Sequence, residues 1–202
     1  MRIEAVPLQD RFVRLEPFDE ALRDEVRAAL DCDPAAWEVM VGAAWGSHFD
    51  GWWDGALRAM QAGTRIAYAV RRPSDGVVVG TTSLYEINPP YRRCEIGSTF
   101  YRPETRGGAI NPACKRLLLG HAFAAGAVRV EIITDTINPQ SAAAILKLGA
   151  RREGVLRKHK ITWTGRVRDT VVFAVIDEDW PAVREGLDRR LAELGGGDAD
   201  IR

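Results

Sequence analysis

No stretch of this 202-residue sequence is apolar over the roughly 20 residues that a membrane span needs. The opening MRIEAVPLQD has neither the basic head nor the apolar stretch of a secretory signal. Cysteine is scarce: Cys32, Cys94 and Cys114 are odd in number and far apart, with no CxxC and no neighbouring histidine pair. That excludes a disulfide frame and a zinc site, and fits a reducing cytoplasm. No charge of one sign dominates, since acidic and basic residues number 28 each, so no global field draws in nucleic acid or an anionic membrane. A Walker Gly-Lys-Ser/Thr and a GxGxxG fingerprint are both missing. The expectation is a soluble cytoplasmic protein without a metal and without a direct nucleic-acid or membrane partner.

What is present is ordinary globular composition, 46% hydrophobic and 28% charged, enough for one domain over residues 1–194 with a flexible tail at 195–202. RFVRLE (11–16) alternates as a strand, and residues 20–31 carry helical spacing through Leu22, Val26, Ala29 and Leu30. Residues 34–63, rich in Trp and Gly, read as short helices. RIAYAV, GVVVGTTSLYEI and CEIGSTFY read as strands, followed by a helix over 111–126, the strand VRVEIIT and a helix over 138–148. Two further strands, EGVLRKHKITW and RDTVVFAVI, precede a closing helix over 178–194. The order is mixed α/β, with antiparallel strands first and β-α-β-α-β in the middle.

The phrase RGGAINPACK (106–115) opens a helix on unusually bare backbone. Asn111 suits an N-cap and Pro112 the first helical position; Asn138 and Pro139 repeat the arrangement. Gly107 and Gly108 permit positive φ, and free N–H groups beside a helix N-terminus attract anions, with Arg106 available for a charge-assisted contact. A tight turn with no ligand remains the competing reading.

The ordered set of motifs resembles the GNAT acetyltransferase superfamily, and within it the RimJ/RimL-like branch that contains ribosomal-protein N-terminal acetyltransferases. The motifs are Glu95-Ile96-Gly97, the turn Glu104 to Ala109, Asn111 with Lys115 to Leu119, Arg129-Val130-Glu131, Asn138 to Ser141, Gly149 to Gly154, and Arg168 to Val171. The turn follows the superfamily's phosphate loop at Gly107 and Ala109 and departs from it at Glu104. The resemblance implies a mostly antiparallel sheet with a splayed parallel pair and helices on both faces. It also implies acetyl-CoA as cosubstrate and an amine acceptor, either a protein N-terminus or a small molecule. The chain is then a monomer or a homodimer.

The same resemblance places the diphosphate on Arg106, Gly107, Gly108, Ala109, Ile110 and Asn111. Pantetheine pairs with backbone around Ser98, Thr99 and Phe100, and Asn138 and Ser141 complete the donor site. Transfer is direct, without an acylated cysteine. Glu95 is the first candidate for the base and Glu131 the second, with His159 behind them; either carboxylate has an equally simple reading as a partner for arginine. Ser141 is the candidate acid, because Ile145 stands where many relatives carry tyrosine, though a first-turn serine also satisfies backbone. Trp37, Trp45, Phe49, Trp52 and Trp53 are candidates for an acceptor groove or for plain packing, and Tyr85, Glu86 and Tyr91 share that ambiguity. A non-catalytic acyl-CoA-binding module and an unrelated phosphate binder are the competing functions.

Overall fold

A computed structural model of the chain describes residues 1–196. Gly195 and Gly196, expected in the tail, close the last helix, and the rest of that tail (197–202) lies outside the described residues. Eight strands form one sheet: β1 (Leu8–Gln9), β2 (Arg14–Pro17), β3 (Arg65–Arg71), β4 (Val78–Asn88), β5 (Arg93–Tyr101), β6 (Arg129–Asp135), β7 (Arg151–Ile161) and β8 (Val167–Ile176). Their spatial order is β1-β2-β3-β4-β5-β6-β8-β7. Among the described residues, only β5 and β6 pair in parallel. Five helices cover the sheet: α1 (Arg23–Leu30), α2 (Phe49–Gln61), α3 (Ile110–Ala124), α4 (Pro139–Leu146) and α5 (Trp180–Gly196).

Strand alternation sorts side chains into two cores. Cys94 and Ile96 of β5, Val130 and Ile132 of β6, and Val171, Phe173 and Val175 of β8 face α3, α4 and α5. Ala67 and Ala69 of β3 face α1 and α2, packed under Phe18, Val26, Trp37, Phe49 and Trp53. Central β3 is covered on both faces, hence its unbroken run of small and apolar residues. Cys94 and Cys114 are buried packing residues and Cys32 is exposed.

Residues 34–63 are not only short helices. Two 3-10 turns lead into the 13-residue α2, whose Phe49, Trp53 and Ala56 recur at helical spacing and are buried, whereas Gly51 and Gly55 dilute its propensity. The helix at 178–194 docks on its own molecule: Val183, Leu187 and Leu191 join the core, and Trp180 stacks on Phe123 at 5.5 Å.

The two Asn-Pro openings behave differently. Asn138 is an N-cap, accepting from Ser141 N at 3.0 Å, with Pro139 in the first turn. Asn111 is not a cap. Ala109 already has helical torsions, so α3 starts at Ile110 and Asn111 falls within the first turn, leaving that helix end with no side-chain cap.

Gly80 shows how closely β4 and β5 approach, since a Cβ there would stand 2.0 Å from the Phe100 carbonyl oxygen. Gly80→Ala is expected to cost at least about 2 kcal/mol, read as a lower urea midpoint at constant m. Gly186→Ala, inside α5 with open space around it, is expected to stabilise by about 0.5–1 kcal/mol.

Candidate active site

The parallel ladder between β5 and β6 has three rungs: Arg93 with Arg129, Cys94 with Val130, and Glu95 with Glu131. Past Glu95 the strands separate and a cleft of about 470 Å³ opens between them. It passes from one face of the sheet to the other. On the α3/α4 side its wall includes Thr99, Asn111, Lys115, Asn138 and Ser141; on the opposite side it includes Trp52, Arg65, Tyr85, Lys160 and Arg168.

A bulge shapes the β5 edge of this cleft. Ser83 pairs with Gly97 and Thr81 with Phe100, so Ser98 and Thr99 together oppose only Thr82. Ser98 absorbs the extra residue at φ +48°. The bulge inverts the alternation beyond it. Thr99 turns toward α3, where its hydroxyl accepts from Lys115 Nζ at 2.9 Å, and Phe100 turns the other way to stack on Trp37 at 5.0 Å. Of the three residues expected beside pantetheine, Ser98 and Thr99 line the cleft, while the Phe100 side chain packs beneath α1.

The glycine turn lies at the donor end. Gly107 takes φ +83°, and the amides of Gly107, Gly108, Ala109, Ile110 and Asn111 donate to no protein acceptor among the described residues. Arg106 does not offer a free charge there. Its Nε donates to the Tyr101 carbonyl at 2.8 Å and its Nη1 lies 2.7 Å from Asp33, so it ties the turn to the segment after α1. Five unpaired amides at the positive end of a 15-residue helix are an arrangement that can attract an anion without a side chain.

Glu95 and Glu131 face different surroundings despite sharing a rung. Glu131 takes Arg129 at 2.8 Å and Arg93 at 3.1 Å. Glu95 is buried and has no arginine partner; its Oε1 accepts from the Tyr85 hydroxyl. Burial pushes the Glu95 carboxyl up to about 7, although the Tyr85 hydrogen bond and the Lys160 charge pull it down. Tyr85 lines the cleft and Glu95 stands behind it. Gly97 leaves the space for this arrangement, because a Cβ there would meet the Tyr85 ring at 2.6 Å. His159 lies exposed on β7, away from the cleft wall.

Residues 13–151 match the family model described as the Acetyltransferase (GNAT) domain. The chain belongs to the GNAT family. It is similar to the structure of a GCN5-related N-acetyltransferase from Brucella melitensis, with a TM-score of 0.85, 28% identity and coverage of 95% of this chain and 87% of that one. Mycobacterium smegmatis RimJ, solved with CoA-disulfide, shares the fold at a TM-score of 0.75 and 23% identity, over 91% of this chain and 92% of that one. An uncharacterized N-acetyltransferase of Bacillus subtilis (strain 168), YoaA, is 26% identical over 111 residues, covering 55% of this chain. The match spans 62% of that curated relative's length.

Within the GNAT frame, Ser141 lines the donor side and its amide is held by the Asn138 cap. Trp37 and Trp52 reach the cleft, whereas Phe49 and Trp53 are buried under β3. Tyr91 is exposed and remote from the cleft wall. Two contributors carry no local sequence signal as site residues. Lys115 entered only as part of the motif Lys115 to Leu119, yet it is buried, with the Thr99 hydroxyl as its one partner among the described residues, and burial lowers it to about 8. Arg65 looked like the start of a strand, yet it lines the cleft and donates only to the Ser83 and Ser98 hydroxyls.

Gly97→Ala tests the Tyr85–Glu95 contact. The added methyl displaces Tyr85, and turnover is expected to fall about 10-fold or more with donor affinity retained, checked by steady-state kinetics beside acetyl-CoA calorimetry.

Proposed function

We propose that this protein is an acetyl-CoA-dependent N-acetyltransferase that passes acetyl directly to a primary amine. The observation that carries this reading is the cleft through the sheet, with unpaired amides at the start of α3 beside it and a buried carboxyl, Glu95, bonded to Tyr85 on the other side. The amides of residues 107–111 hold the diphosphate, and the open edge of β5 around Ser98 and Thr99 takes the pantetheine arm as a strand would. An amide of that edge faces the thioester oxygen and stabilises its negative charge.

The amine nitrogen attacks the thioester carbonyl carbon from the α1/α2 side. Its proton passes by way of the Tyr85 hydroxyl or a water to Glu95. The C–S bond then breaks and the thiolate takes a proton from Ser141, whose hydroxyl is restored by a proton from solvent while Glu95 returns its own to solvent. An α-amine loses its proton near pH 8, so a base with a pKa near 7 is adequate. Glu131 takes no part in this scheme, because two arginines already hold its charge.

The test is acetyl-CoA-dependent thiol release across a panel of amines, together with the pH profile. A working base must be ionised, so kcat/KM is expected to rise through about pH 7 and level off above it. Exchanging the acceptor for one of different amine pKa leaves that limb in place. Glu95→Gln removes it and lowers turnover by about 10²–10⁴. An unchanged limb in Glu95→Gln assigns the base elsewhere.

The donor half has its own check. Gly107→Ala places a methyl in the amide cradle at a left-handed torsion that only glycine adopts without strain. Acetyl-CoA affinity measured by calorimetry is expected to fall about 10-fold or more, which is about 1.4 kcal/mol.

A further inference from the structure

The two mouths of the cleft differ in charge. Its wall holds four cations, Arg65, Lys115, Lys160 and Arg168, and one acid, Asp135. Burial raises the Asp135 carboxyl, but its pairing with Arg166, the Ile137 amide and the Arg168 charge together hold it below the ordinary range. Lys115 projects from α3 on the other side of the cleft, toward Thr99. The other three belong to the opposite face: Arg65 is the register partner of Tyr85, Tyr85 that of Glu95, and Lys160 that of Arg168.

None of these three has a carboxylate to itself. Arg65 is held by two serine hydroxyls and lies 5.5 Å from the centre of the Trp52 ring. Arg168 is buried, its Nε has no hydrogen-bond partner, and the nearest acid oxygen, on Asp135, is 3.7 Å away and shared with Arg166. Lys160 forms no ion pair among the described residues. A buried guanidinium with an unused donor, as at Arg168, is costly unless an anion completes it, and Arg65 and Lys160 stand half-buried beside it on the same wall. The donor's phosphates do not serve, because the amides proposed to hold them open α3, whose core lies on the other face of the sheet.

We propose that the acceptor is a primary amine whose own skeleton carries an anionic oxygen group, a carboxylate or phosphate, bound by Arg65, Lys160 and Arg168. This inference rests on the transfer reading above and gives the acceptor side its substrate class. Arg65 keeps Nη1 for such an oxygen while its Nε and Nη2 hold Ser83 and Ser98, Arg168 has an unpartnered Nε, and Lys160 adds an ammonium from β7. The amine end then meets Tyr85 and Glu95, which lie in the same row of the sheet as Arg65.

The experiment compares matched acceptors: glutamate-first against glutamine-first dipeptide amides, β-alanine against its amide, and phosphoethanolamine against ethanolamine. In at least one pair the anionic member is expected to have kcat/KM at least about 10-fold higher, since a charge-assisted contact is worth that much. Arg65→Gln and Lys160→Gln are expected to bring that ratio toward one, mainly through KM, with melting temperature confirming that each variant folds. Arg65→Lys restores part of the ratio. The pairs also separate a peptide acidic side chain from a small carboxylate or phosphate.

Neutral members equal to or better than anionic ones in all pairs overturn the inference. So does a ratio that both variants leave unchanged. Failure of every anionic amine while acetyl-CoA binds normally overturns it too, and leaves the donor reading standing. Loss of acetyl-CoA binding itself takes both readings down.

Discussion

Parallel pairing between β5 and β6 ends at the rung where Glu95 meets Glu131, and most of what this molecule can bind follows from that ending. A sheet that continued would leave no opening between its faces and no free backbone edge in its middle. Two features prevent continuation. The Ser98 bulge bends β5 and turns its next residues over, and beyond the last rung β6 keeps pairing with β8 on its other side as far as Asp135. The unpaired edge that results is tolerable only where water or a ligand reaches it, because buried amides and carbonyls without partners are costly. An extended chain with amide groups, which pantetheine has, completes such an edge.

The chain around the opening is arranged to keep it in place. Arg106 fastens the glycine turn to Asp33 and to the Tyr101 carbonyl, so the turn's amides are held by a residue that does not consume them. On the far side, Trp163 in the β7–β8 hairpin donates to the Trp37 carbonyl at 2.9 Å, and Trp37 stacks on Phe100 just past the bulge. The segment before α2, the hairpin tip and the bulged strand therefore form one connected rim. Rigid support of this kind gives a reacting group its orientation before substrate arrives.

Legibility in the sequence follows the range of the interactions. The α/β order, the glycine turn and the Asn138 cap were readable because each is decided within a few residues: strand alternation, Gly-Gly before an apolar helix, an Asn three residues before the amide it accepts from. The start of α3 was misread at Asn111 by one or two residues, since Ala109 enters helical torsions with no side chain to announce it. α2 was hidden by glycines that lower its propensity while its buried Phe and Trp keep the spacing. The Tyr85–Glu95 contact depends on the register of two strands, and an extra residue at Glu86, φ +50°, shifts that register. No local pattern encodes it. The cations of the acceptor wall come from β3, β7 and β8, brought together only by a strand order that puts β8 between β6 and β7.

Charge and burial act on Glu95 in opposite directions, and their balance bears on how the acceptor side works. Lys160 favours the ionised carboxylate, and Arg168 is near enough to feel its charge, yet burial prevails and the group titrates near 7 rather than in the ordinary carboxylate range. An acceptor of the proposed class, bringing an anion to Lys160, would weaken the pull that this cation exerts on Glu95. Less stabilised as an anion, Glu95 would then be the stronger base that the proposed transfer needs. A neutral amine produces no such change and meets a wall whose cations still seek a partner. On the proposed reading, Lys160 and Arg168 would both hold the acceptor's anion and act on the carboxyl that takes its proton, so that specificity and proton transfer would share one electrostatic balance.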